Sequence, residues 1–317
     1  MKRHIKFKWQ LLLVALLLSF GSWQTLAHAA DEPIVTLGSS LTSSQKTGTI
    51  STLTASLNGD SYQTLTVNGD TLVKYLNPAG ESFTSTSGVW SSAMIQKTSS
   101  GSGINVQILD YNGTNNITTI TANQYKNAAL TAGITDANIY VTSATPIDGS
   151  GALAGVYAAY AQSGNQLNTK QVNAAQSELS TLSGITSTNK NKTGYSDAQL
   201  NNAVAGAKQA MAKKGSTVTN NEITTIVNQQ ITNNNLTNVI TNNQKTQLIN
   251  LLIKVRDSGA LDSASFKTQA SSLMKNIQSN AKGIFSKLNT KENQNLLQQV
   301  WTAITNFFSS IFKSIFG

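Results

Sequence analysis

Two rhythms divide the chain. From about residue 33 to 165, short apolar and β-branched runs alternate with short stretches of helical spacing. The first strand expected is Ile34 to Gly38, followed by a weak helix over Ser44 to Leu57. Tyr62 to Val67 reads as a strand running into a short helix at Asp70 to Leu76. Ser92 to Lys97 and Ile104 to Leu109 read as paired strands joined by the turn-rich Thr98 to Gly103. Thr121 to Ala132 is a helix ending at Gly133, a residue suited to a left-handed cap. Asn138 to Ser143 is a further strand, and Ala152 to Ala161 a further helix.

Beyond about residue 170 the strand pattern disappears. Helical spacing begins at Gln166 to Leu182. Ser196 caps a helix carrying Leu200, Val204, Ala207 and Met211, which Gly215 stops. Thr219 and Glu222 form a capping box ahead of Ile223, Ile226, Val227 and Ile231. Leu248, Leu251, Leu252 and Val255 mark the next helix. One long helix is expected to carry Phe266, Ala270, Leu273, Ile277, Ala281, Ile284 and Leu288. Between the halves, Ser187 to Gly194 is polar and aperiodic, the best candidate for a linker. The expected class is therefore α+β: a mixed-sheet domain over 30–165, then an all-helical region over 166–317.

The two ends depart from these rhythms. Lys2, Arg3, Lys6 and Lys8 precede the apolar run Leu11 to Phe20, and Ala27-His28-Ala29 is a small-x-small cleavage signal. That arrangement is expected to be a secretory signal peptide cut between Ala29 and Ala30. Its apolar core is about half of the ~20 residues a membrane span needs. At the other end, a helix over 296–317 would place Val300, Trp301, Ile304, Phe307, Phe308, Ile311, Phe312, Ile315 and Phe316 on one face. Thr302, Asn306, Ser309, Ser310, Lys313 and Ser314 occupy the other. Such a helix suits a membrane interface or a partner surface; packing as the last bundle member or self-association would also bury the stripe.

Removing 1–29 changes the chemistry available. The leader holds four of the 23 basic residues and none of the 14 acidic ones, which leaves 19 against 14, a net +5. His4 and His28 leave with it, and the chain has no Cys. Without imidazole or thiol there is no Ser-His-Asp or Cys-His catalysis, and no zinc site built on His and Cys. A secreted chain without disulfides must be held by apolar burial, which 288 residues can supply. With Arg256 as its single mature arginine and a thinly spread charge, the chain is a poor nucleic-acid binder. Attraction to an anionic membrane surface or cell-wall polymer is the expectation; oligomeric state is left open.

Several short motifs invite catalytic readings. Gly149-x-Gly151-x-x-x-Gly155 follows a strand and opens a helix, as a dinucleotide site does, but what comes next is a helical pattern rather than a second strand. Those glycines are expected to let a helix approach the sheet closely. Ser43-x-x-Lys46, Ser163-Gly164-Asn165 and Lys192-Thr193-Gly194 occur in the chain order of serine-lysine acyl-transfer enzymes, yet the last triplet falls in a polar segment instead of a strand. Asp110, Asp136 and Asp148 sit at strand ends or turns, where glycosidase acids could stand but where turns favour Asp anyway. Trp90 reads as a core or rim aromatic. No catalytic, cofactor-binding or metal set is complete; a wall-directed hydrolase using Ser43 and Lys46 or paired carboxylates is the alternative reading.

The segments VTLGSSLTSSQ (35–45) and NITTITANQYKNAALTAGITDANIYVTSATPIDGSGALAGVYAAY (116–160), behind a signal peptide, resemble the YpuA-like family of secreted Gram-positive proteins. The resemblance covers roughly 33–185. It implies an extracellular or envelope-associated protein and assigns no catalytic residue.

Overall fold

A computed structural model describes residues 32–288. The signal-peptide cut between Ala29 and Ala30 falls outside the described residues, as does the apolar stripe from Trp301 to Phe316.

The N-terminal half runs β1 (Ile34–Gly38), α1 (Ser43–Thr54), β2 (Gln63–Val67), α2 (Gly69–Tyr75), β3 (Ser91–Lys97), β4 (Ile104–Ile108), α3 (Ala122–Thr131), β5 (Ala137–Ser143) and α4 (Ser150–Gln162). Its strands form a mixed sheet in the order β2-β1-β3-β5-β4. The pairs β1/β2 and β4/β5 are parallel, while β3 is antiparallel to both β1 and β5. Helical elements follow: α5 (Thr169–Asn189), α6 (Asp197–Lys214), α7 (Asn220–Asn233), α8 (Asn242–Asp257), α9 (Ala264–Asn280) and α10 (Lys282–Leu288). The class is α+β, as the two rhythms predict.

The expected pairing of β3 with β4 does not form. β5 enters between them, antiparallel to β3 over Ser91 to Lys97 and parallel to β4 over Ile104 to Ile108. Residue chemistry explains the choice. β5 is buried at Ala137, Ile139, Val141, Thr142 and Ser143, whereas β4 carries exposed Gln107 and β2 carries exposed Thr64 and Thr66. Polar alternation suits an edge strand, and near-continuous burial suits a central one. Asp136 closes the widened turn. Its carbonyl accepts the Thr98 N–H at 2.7 Å and its carboxylate accepts the Gly103 N–H at 2.9 Å, with the backbone left-handed at φ 49°.

Side-chain parity splits the core. Val35, Leu37 and Met94 face one side of the sheet and meet Leu53 and Leu57 from the α1 region. Ile34, Ala93, Ile95, Ile139 and Val141 face the other, against α3, α4 and the helices beyond. The composition change near residue 165 falls in the connection between α4 and α5. The larger core is continuous across it, with Leu153 and Tyr157 of α4 in the same buried cluster as Leu179 and Leu182 of α5.

Capping residues set most helix starts. Thr42, Asn68, Thr121, Thr219 and Thr241 each close a capping box at the start of α1, α2, α3, α7 and α8. After α3, Gly133 turns left-handed at φ 86°, and the Ile134 N–H reaches back to Ala129 O at 3.0 Å, the cap its position predicts. Two helical expectations change. Residues 187–189 continue α5, so the polar segment is a helix end followed by a tight turn through Gly194 at φ 82°. The single helix expected from Phe266 to Leu288 breaks at Ala281, whose φ and ψ are −113° and 35°.

Candidate functional site: a lysine-lined groove in front of a buried polar network

The glycine motif at 149–155 is a packing device. Gly149 takes φ 105° ahead of α4. A Cβ on Gly155 would stand 2.6 Å from Thr36 Oγ1, and one on Gly151 would stand 3.0 Å from Ser91 Oγ. Both glycines therefore let α4 lie directly on β1 and β3, leaving no room there for a pyrophosphate.

The serine-lysine motif is dispersed. Ser43 and Lys46 begin α1 on one face of the sheet, while Lys192-Thr193-Gly194 occupies the turn between α5 and α6 on the helical side. Lys192 Nζ reaches Val239 O at 3.5 Å, and Asn165 Nδ2 donates to Ser163 Oγ at 2.9 Å. Of the candidate carboxylates, Asp136 closes the β3–β4 turn, Asp148 accepts the Ser150 N–H and hydroxyl at 3.2 Å, and Asp110 is exposed after β4. Trp90 is a rim aromatic, 37% exposed, its ring folded over Gly88.

What the helices do bring together is polar and buried. On α6, Lys208 sits among Val204, Ala207 and Met211 with its side chain fully buried. Its ammonium lies 2.5 Å from Glu178 Oε1 on α5 and donates to Asn127 O of α3 at 2.8 Å. Thr131 Oγ1 donates to the other Glu178 oxygen at 2.6 Å. Burial pushes the Lys208 pKa down, against the pull of the Glu178 carboxylate. One turn along, Asn127 Nδ2 donates to Asn201 Oδ1 at 3.0 Å, and Asn201 Nδ2 donates to Asp197 Oδ1 at 2.9 Å. Asp197 also accepts from Thr121, Asn123 and Gln124. Burial raises its carboxyl pKa, and the hydrogen bonds from Thr121, Asn123, Asn201 and Gln124 oppose the rise. This ladder welds α3, α5 and α6 together and opens onto neither of the grooves described next.

An accessible site lies at the start of α5. One lobe, about 410 Å³, is bounded by Lys74 and Tyr75 of α2, Ala161 of α4, Asn165 to Leu167, and Val172 of α5. The other, about 310 Å³, lies between Pro78 and Ala79, the Lys170–Ser177 face of α5, and Lys254, Asp257 and Ser258 around the end of α8. Asn173 lines both lobes. Its amide oxygen is shielded from solvent and has no hydrogen-bond partner among the described residues.

Three ammonium groups surround this groove. Lys74 Nζ lies 4.8 Å from the Tyr75 ring centroid, and that ring packs on Tyr157 with centroids 5.8 Å apart. Lys254 Nζ donates to Ser177 Oγ at 3.4 Å, and Lys170 projects from the first turn of α5. None of the three pairs with a carboxylate among the described residues. The acid in the lining, Asp257, is engaged by Arg256 Nε at 2.7 Å. The arrangement can neutralise spaced negative charges and hydrogen-bond what lies between them.

A family model described as "Protein of unknown function (DUF1002)" matches residues 37–273. The chain belongs to the DUF1002 family. It is 31% identical over 316 residues to the uncharacterized protein YpuA of Bacillus subtilis (strain 168), a match covering 96% of this chain and 98% of that protein. The YpuA-like resemblance carried by 35–45 and 116–160 is thus the correct one. No solved structure matches the chain. The DUF1002 match contains Lys74, Lys170, Asn173 and Lys254 as well as the Lys208–Glu178 pair. Sequence reasoning passed over all of these. The one available signal was Lys208, a charge at helical spacing inside the apolar stripe Val204, Ala207, Met211.

Proposed function

We propose that this protein is a secreted, non-enzymatic component of the cell envelope that holds an anionic envelope constituent, with its C-terminal amphipathic segment providing attachment. The observation that carries the reading is the convergence of Lys74, Lys170 and Lys254, none with a carboxylate partner among the described residues, on one groove. Charged residues make up only 12% of the chain, so a basic groove is a concentrated feature on a weakly charged surface. The leader Met1 to Ala29 supports export, and the apolar face from Trp301 to Phe316 supports attachment to a membrane surface or partner.

The test is fractionation of producing cells with the full-length protein and with a variant lacking 296–317, together with N-terminal sequencing of the exported form. The reading expects a mature start at Ala30, envelope retention of the full chain and release of the truncated one to the medium. Retention of both forms in the cytoplasm would overturn it. Co-sedimentation of the mature chain with anionic liposomes, against a form ending at Lys291, separates attachment to a membrane from attachment to a partner.

A further inference from the structure

We propose that the two-lobed groove around Asn173 binds a flexible polyol chain linked by phosphodiesters, its anionic groups meeting Lys74, Lys170 and Lys254. This names the ligand class of the site on which the envelope-binding reading rests.

Charge comes first. The three cations are lysines, which act as compact point charges, and the groove has no arginine fork for a terminal phosphate or a carboxylate. They stand on separate elements, α2, α5 and the end of α8, so they match charges distributed along a chain better than one doubly charged head. Asp257 in the second lobe is held by Arg256 and leaves Lys170 and Lys254 uncancelled.

The surface between the charges selects further. It is made of hydroxyl and amide groups, with Thr169 in the first lobe, Ser177 in the second and Asn173 in both. The Asn173 oxygen has no hydrogen-bond partner among the described residues; with the amide turned into the groove it accepts from a ligand hydroxyl placed between two anionic groups. A buried acceptor without a partner is unfavourable, so satisfying it favours a hydroxyl-bearing ligand over a bare anion. Tyr75, the aromatic of the lining, is buried against Tyr157 and gives no open ring face for a nucleobase to stack on.

The experiment is a calorimetric titration of the mature chain, residues 30–317, with soluble poly(glycerol phosphate). Three variants are compared with wild type: Lys74→Gln/Lys170→Gln/Lys254→Gln, a charge-matched control Lys190→Gln/Lys267→Gln/Lys275→Gln at exposed lysines elsewhere, and Asn173→Ala. Circular dichroism establishes that each is folded. The groove variant is expected to lose at least about tenfold in affinity and to flatten the salt dependence, while the control loses less than about threefold. Asn173→Ala is expected to weaken binding without changing the salt slope, because it removes an acceptor and no charge. Equal losses in the two triple variants would overturn the proposal, since attraction would then follow net charge alone. Hyaluronate binding as tightly as the phosphate polymer would overturn the phosphodiester assignment. Binding only to phosphatidylglycerol vesicles would overturn the polymer in favour of lipid headgroups. These outcomes use purified components, so they are independent of whether cells retain the protein.

Discussion

Lys208 Nζ stands 2.5 Å from Glu178 Oε1, and neither side chain has any solvent exposure. Removing two charges from water costs several kcal/mol per ion, and their attraction offsets this only when the remaining polar atoms are also satisfied. Here Asn127 and Thr131 of α3 supply those bonds, so three helices depend on one ion pair. Lys208→Met alone leaves a buried carboxylate and is expected to cost about 3–5 kcal/mol in denaturant unfolding. The double variant Lys208→Met/Glu178→Leu should recover most of that loss. If the single and double variants are equally unstable, the pair is held by packing and its charges do not act as a unit.

Gly155 and Gly184 make opposite predictions from the same substitution. At Gly155 a Cβ meets Thr36 Oγ1 at 2.6 Å, so Gly155→Ala pushes α4 away from β1 and should destabilise by about 1–3 kcal/mol. Nothing lies within 4 Å of a Cβ at Gly184 in α5. There Gly184→Ala should stabilise by roughly 0.5–1 kcal/mol through helix propensity. Thermal unfolding of the two variants reads the difference in sign directly.

Asp136 holds the turn that lets β5 pass between β3 and β4. Asp136→Ala loses the bond to the Gly103 N–H and places alanine at φ 49°, so a loss of about 1–3 kcal/mol is expected. Asp136→Asn keeps an acceptor oxygen and tolerance of the left-handed region, and should cost less than half as much. A larger loss for Asn than for Ala in urea unfolding would assign Asp136 a role that depends on its charge.

Glu222 makes stability depend on pH. Burial pushes its carboxyl up, but hydrogen bonds from Lys214 Nζ at 2.7 Å and the Thr219 N–H at 2.8 Å outweigh that, and its pKa falls below the ordinary 4.5. The folded state therefore binds this proton less readily than the unfolded state. Its contribution is fully present above pH 4.5 and is lost as pH falls through the lower folded value. With both partners partly solvated, Glu222→Gln should cost no more than about 1 kcal/mol at pH 7. The gap to wild type should close as the pH falls through that lower folded value. Urea midpoints between pH 3 and 7 that run parallel for the two proteins would contradict this.

Much of the fold is legible along the chain because its signals are local. The β-branched run at Ile34 to Gly38, the caps at Ser196, Thr219 and Gly133, and the apolar spacing of Leu248, Leu251, Leu252 and Val255 depend on neighbours within a turn or two. Elements carried by such signals appear where the pattern places them. The break at Ala281 leaves no mark in the sequence pattern, because Ala281 and Ile284 keep the apolar spacing across it. Nothing in that spacing records the change in backbone direction.

The groove was not legible at all. Lys74, Lys170 and Lys254 are far apart in sequence, and each taken singly reads as a solvated helix residue. Their meeting depends on the turn Asn77–Ala79 and the end of α8 both packing beside the start of α5.

By itself, then, the sequence determined the α+β class, most of the helix and strand inventory, and the absence of histidine and cysteine chemistry from the chain after residue 29. These follow from periodicity and composition, which short-range sterics and side-chain chemistry settle. Only the tertiary structure decided that β5 separates β3 from β4, that Lys208 is matched by Glu178 rather than exposed, and that three distant lysines border one groove. Pairings over such separations depend on which surfaces best exclude water together, a property of the packed whole that no local run of residues carries.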